Sequence, residues 1–303
     1  MLFGSAKFTP SVLRKWQAKQ PKAAKLLQFW PNMNEQEKAD VTRLADVAKW
    51  PQAYLAQLPD AEAAEAFTAL WPQLPAALQE ALLKSLIAML LEKTAPKQEA
   101  AVNLLLKLAD DRMISPLIVA TLKDESYDVA LVSRVLAQFT EKAGRILAMV
   151  YSGLNSAEKK RILQLIGQLK PATATEILQF AILEPEAELR ILAAKTCAQV
   201  TPPDLLNFLA PLVQDEENGV RAAACGTLGR CGGTAAVPIL QAAFDNDDAW
   251  TVKSMCASFL SKWEEQLAEQ IMLDEGEMHA GLVEKIQSEQ INSAEIDTER
   301  IDA

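Results

Sequence analysis

The side chains best able to do chemistry are few and dispersed. His279 is the one histidine in 303 residues, and no cysteine or serine stands near it in a recognisable catalytic motif. The four cysteines, Cys197, Cys225, Cys231 and Cys256, fall inside helical patterns and form no Cys-x-x-Cys pair. A zinc site would have to use all four thiolates without the usual turns to present them, so they read as buried free thiols in a reducing compartment. The carboxylate pairs Asp110–Asp111 and Asp247–Asp248 sit at helix boundaries, where capping of backbone amides accounts for them. Gly226, Gly229, Gly232 and Gly233 suit helix packing and a turn better than a phosphate-binding loop. No catalytic residue, metal site or cofactor is expected, and the chain does not read as an enzyme.

One constellation is periodic. An acid or amide precedes a base by six positions in Asn155/Arg161, Glu184/Arg190, Asp215/Arg221 and Asp247/Lys253, and Asp124/Ala130 keeps the register without the base. The second members lie 31, 29, 31 and 32 residues apart. A period near 30 residues corresponds to one helix–turn–helix per unit, the signature of a solenoid. Two roles fit Arg161, Arg190, Arg221 and Lys253. They either meet an acidic partner segment along one helical face, or pair with Asn155, Glu184, Asp215 and Asp247 as a ladder within the stack.

The elements that position these residues read as helices. Half of the chain is hydrophobic, aromatics are few, and no Asn-Gly or Asp-Gly hairpin separates alternating runs. Leu189, Leu192, Ala193, Thr196, Cys197 and Val200 follow one helical stripe. Val252, Met255, Cys256, Phe259, Leu260 and Trp263 follow another. Residues 215–247 show a full unit: a helix, a break at Gly232–Gly233, and a second helix entered through Pro238.

An Asp-x5-Arg with valine before the arginine and an alanine-rich helix after it resembles HEAT repeats, particularly the short subtype of phycobilin lyases and many bacterial proteins. Val220–Arg221–Ala222–Ala223–Ala224 with Leu228–Gly229 is close to that pattern, whereas Lys160 stands where the valine before Arg161 should be. The resemblance covers 184–263 well and 120–183 more loosely. It implies an all-α, right-handed α-solenoid of HEAT-type helical hairpins, with each acid in the turn between two helices and each arginine near the start of the second.

Upstream, Trp30–Pro31, Trp50–Pro51 and Trp71–Pro72 recur at intervals of 20 and 21 residues. Each such pair is expected to end one helix and open the next, giving helices over roughly 10–30, 34–49, 51–58, 60–70 and 75–92. The expected organisation is an N-terminal helical cap region over 1–95, a repeat array over 96–273 and an acidic, partly disordered tail over 274–303.

The net charge of −10 disfavours a nucleic-acid partner. Residues 1–30 carry six bases and no acid, while 274–303 carry nine acids against Lys285 and Arg300. Val12, Leu13 and Trp16 share a helical side near Arg14, Lys15 and Lys19, which suits either a cap on the first repeat or contact with an anionic membrane surface. The opposite charges also permit self-association. The opening residues have no apolar signal segment and no apolar run is long enough to span a bilayer, so a cytoplasmic location is expected. The function expected is a non-enzymatic scaffold or adaptor that binds a protein partner. Two enzyme alternatives follow from the resemblance: the repeat subtype implies an accessory or catalytic subunit of a phycobilin-lyase-like enzyme, and HEAT-like folds more broadly imply an alkyl-base DNA repair protein, which the overall acidity disfavours.

Overall fold

Two helix starts in this chain are set by a reciprocal pair of polar side chains. Asn155 Oδ1 accepts from the Glu158 amide, and Glu158 Oε2 accepts from the Asn155 amide, both at 3.0 Å. Asn34 and Glu37 repeat this reciprocal box at 2.9 Å. Each box satisfies amides that the first helical turn leaves without partners. Helix ends are as specific: Ala109, Lys170 and Thr201 each adopt a left-handed backbone, with φ of 46°, 52° and 47°. That conformation lets the terminal amide return to the last turn, as Lys170 N does to Ile166 O at 2.8 Å.

The computed structural model describes residues 27–45, 55, 61–91 and 95–263, and no strand occurs among them. It divides into two compact units, Met1–Pro202 and Pro203–Ala303. In the first unit, a 3-10 turn at Leu27–Asn32 precedes α1 (Glu35–Ala45) and α2 (Ala61–Leu70). The following hairpins are α3 (Ala76–Met89) with α4 (Ala95–Leu108), and α5 (Ile114–Lys123) with α6 (Val129–Leu136). Two more complete it: α7 (Thr140–Tyr151) with α8 (Ser156–Leu169), and α9 (Ala174–Ala181) with α10 (Ala187–Val200). The second unit holds α11 (Leu205–Val213), α12 (Asn218–Cys231), α13 (Val237–Asn246) and α14, helical over 250–263.

Within the first unit the helices stack in two layers. Each first helix packs on the first helix of the next hairpin, giving the layer α1, α3, α5, α7, α9. Each second helix does the same, giving α2, α4, α6, α8, α10. The layers run without a break through the α3–α4 hairpin, which crosses residue 95. This is the helical-hairpin stacking of a HEAT-type solenoid. Between the layers lies a continuous apolar core. Ile162, Leu163, Leu165 and Ile166 of α8 are wholly buried, as are Leu147 of α7 and Leu178 of α9. Burial of each such side chain contributes about 1.5–3 kcal/mol before chain entropy is offset.

Trp71–Pro72 behaves as the proline rule predicts. α2 ends at Leu70, Trp71–Gln73 forms a 3-10 turn, and α3 follows with Pro75 as its cap. The buried Trp71 ring meets Phe67 edge-on at 5.7 Å, and its indole N–H donates to Asp110 Oδ2 at 3.1 Å. Asp110 caps the Asp111–Met113 turn and also receives Arg112, which reaches Gln79 Oε1 at 2.7 Å. One cluster thus ties three hairpins together. Trp30–Pro31 lies within the first 3-10 turn, with Trp30 buried. Trp50–Pro51, the basic stretch from Lys7 to Lys25, His279 and the acidic tail lie outside the described residues.

Candidate interaction surface

The turn between the two helices of each hairpin is built on its leading residue. Asp124 Oδ1 accepts from Ser126 N at 2.8 Å, Asp215 Oδ1 from Glu217 N at 3.0 Å, and Asp247 Oδ1 from Ala249 N at 2.8 Å. These bonds close an Asx turn that leads into the second helix and leaves the carbonyls of the turn pointing back across it. Asn155 does the same work through its capping box. Glu184, one methylene longer, instead receives Lys159 Nζ from the preceding hairpin at 2.9 Å.

The bases six positions on are aimed at those carbonyls. Arg190 Nη1 donates to Glu184 O and Pro185 O, each at 2.8 Å, and the residue is buried. Arg221 Nη1 repeats this with Asp215 O at 2.8 Å and Glu216 O at 3.0 Å. Its other edge grips Asp247 of the next hairpin, Nε to Oδ2 at 2.6 Å and Nη2 to Oδ1 at 3.0 Å. Arg161 turns the other way, donating to Tyr127 O of the preceding turn at 3.1 Å. Lys253 is half-buried, and its charge helps to lower the pKa of Asp247. The larger cause there is the Arg221 guanidinium, whose hydrogen bonds hold the Asp247 carboxyl below the usual carboxylate range. A guanidinium is suited to this double role because its donors form a rigid fork that engages carbonyls on one edge and a carboxylate on the other. The three arginines therefore face the turns of their own stack.

Two participants carry no sequence signal. Lys159 stands two positions before Arg161 and takes the contact with Glu184, and it also lies 5.5 Å from the centre of the Tyr151 ring. Tyr127 contributes a backbone carbonyl, which any residue could supply. Burial pushes the Tyr151 phenol up, with the charge of Glu184 adding to it. The thiols of Cys197, Cys225 and Cys256 are buried and Cys231 is half-buried; burial pushes Cys197 up to about 12. Among the described residues, no three His, Cys, Asp or Glu side chains converge as a metal ion would require.

The repeat of acid-led turn and fork-like arginine is matched by a comparison with known families. Residues 174–261 fit the family model of HEAT repeats. In the HEAT segment, the turns at Glu184 and Asp215 and the arginines at 190 and 221 occupy the places that the Asp-x5-Arg pattern implies. No curated protein matches the chain significantly.

Away from the turns the helix layers leave apolar groups in solvent. Met149 on α7 is 75% exposed, and Phe180 and Leu183, at the end of α9, are 58% and 74% exposed. In the second unit Trp250, in the first turn of α14, is 77% exposed. No described helix is long and apolar enough to cross a membrane.

Proposed function

We propose that this chain is a non-enzymatic scaffold in the cytoplasm that holds a protein partner along the free faces of its helical stack. The observation that carries this reading is the double-layered HEAT-type stacking, in which Lys159, Arg161 and Arg221 join one hairpin to the next. Such a stack presents helix faces at a regular spacing over a long surface, and a surface of that kind suits an extended macromolecule better than a small substrate. The exposed Met149, Phe180 and Leu183 add apolar contact area of the sort that interfaces use.

The test is reconstitution. A partner recovered by crosslinking in the source cells is purified and mixed with the purified chain, and a complex of fixed stoichiometry in sedimentation velocity is the expected result. A bilin absorbance shift on mixing, or a salt-sensitive shift of duplex DNA in a gel, in place of a protein complex would overturn the reading in favour of the two enzyme alternatives.

A further inference from the structure

The free face of the second-helix layer in the first unit carries a second periodic pattern, distinct from the turns. Four of its five helices, all but α2, expose a polar pair one turn apart, so both members lie on the same side of the helix. α4 presents Asn103 and Lys107, and α6 with its 3-10 extension presents Arg134 and Gln138. α8 presents Gln164 and Gln168, and α10 presents Lys195 and Gln199. Successive pairs lie 31, 30 and 31 residues apart, so the pattern follows the repeat. Neighbouring rows are in contact: Gln199 Oε1 covers Gly167 so closely that a Cβ there would lie 1.9 Å from it.

The chemistry of these eight positions differs from that of the chain. They hold three cations, five carboxamides and no carboxylate, in a protein of net charge −10. Arg134 is engaged bidentately by Glu99 at 2.8 and 3.0 Å, which leaves Lys107 on α4 and Lys195 on α10 as the other cations of the row. A carboxamide offers a donor and an acceptor together, the complement of a peptide group, and an ammonium complements a carboxylate.

We propose that this face docks an extended, acidic polypeptide segment of a partner, with the glutamines pairing to its backbone and Lys107 and Lys195 to its carboxylates. The proposal rests on the scaffold reading and names the partner's chemistry. Helices packed about 10 Å apart set the row at about 30 Å, the length of about nine extended residues. A single-stranded nucleic acid fits less well, because the row has no aromatic side chain to stack a base and little charge to replace phosphate counterions.

The test measures fluorescence anisotropy of a labelled ten-residue peptide of alternating glutamate and alanine with the full chain. The Gln/Ala peptide and a ten-residue oligothymidine are the comparison probes. The acidic peptide is expected to bind with an affinity that falls as salt rises, and the neutral peptide to bind at least tenfold more weakly. K107E/K195E, two exposed substitutions, is expected to weaken the acidic peptide by about tenfold or more while its thermal melt matches the parent. Q164A/Q168A is expected to weaken it with the salt dependence unchanged. Absence of acidic-peptide binding, an unaltered affinity in K107E/K195E, or tighter binding of the oligothymidine overturns the proposal. A reconstituted partner complex that K107E/K195E leaves intact overturns this face as the dock but preserves the scaffold reading. Failure of the unaltered chain to form any protein complex is the failure of that reading instead.

Discussion

Arg221 and Asp247 stand 26 residues apart in sequence and are joined by two parallel hydrogen bonds of 2.6 and 3.0 Å, while the far edge of the same guanidinium holds the carbonyls of Asp215 and Glu216. One side chain thereby fixes its own turn and the next. The Asp247 carboxylate is 7% exposed, so removing its partner leaves a largely desolvated charge. Arg221→Ala is expected to cost about 2–3 kcal/mol in chemical denaturation followed by circular dichroism. Arg221→Lys is expected to recover only part of this, because one ammonium cannot span both turns.

The same pair makes stability depend on acid. The folded-state pKa of Asp247 is depressed, chiefly by the Arg221 hydrogen bonds, so its contribution is complete above the unfolded value of about 3.9 and is lost as pH falls through the lower folded value. Asp247→Asn is expected to be less stable than the parent at pH 7 and to lose less on going from pH 5 to pH 3. Parallel melts across that range check the crossing slopes.

Two glycines distinguish a rigid neighbour from a yielding one. A Cβ at Gly229 would meet three ring carbons of Phe259 at 2.2–2.7 Å, and one at Gly144 would meet Pro171 Cβ at 2.4 Å. Gly229→Ala and Gly144→Ala are expected to cost about 1–3 kcal/mol each. At Gly167 the obstacle is the end of the Gln199 side chain, which can swing away, and the gain in helix propensity of about 1 kcal/mol offsets the shift. Gly167→Ala is therefore expected to lie within about 0.5 kcal/mol of the parent by denaturant midpoint.

Lys170 pays for its left-handed backbone, φ 52°, with no glycine to relieve it. Lys170→Gly is expected to stabilise the α8 terminus by about 0.5–1 kcal/mol, read as a raised melting temperature. A lowered melting temperature would show that the lysine side chain matters more than the backbone.

Thiol accessibility is graded. A maleimide is expected to label Cys231 alone in the native chain, because Cys197, Cys225 and Cys256 are buried. Labelling of all four in denaturant, counted by intact mass, completes the comparison.

The spacing of Asp215, Arg221 and Asp247 made the hairpin register and the helical fold legible, because a period near 30 residues survives without any knowledge of contacts. What the spacing did not disclose is the partner of each base. A separation of six suggests a side chain on a side chain, yet Arg190 and Arg221 reach carbonyls, since the carboxylate of Asp215 faces inward to close its turn. Backbone acceptors have no residue type, so no pattern of letters marks them. Lys159 escaped for a related reason: it replaces a missing contact from Arg161, two positions off the expected register. The glutamine-rich face also escaped, because a solvated helix face leaves no hydrophobic periodicity to read.

The indole-to-carboxylate bond from Trp71 to Asp110 spans 39 residues, and the other side-chain bridges described above span fewer. A structure closed by such short loops does not wait for its far end before it gains its contacts. Each hairpin of the first unit can consolidate on the one already made as synthesis delivers it, so assembly from the N-terminal side is vectorial and the growing edge is exposed for only the time needed to translate about thirty residues, a few seconds at roughly 5–20 residues per second.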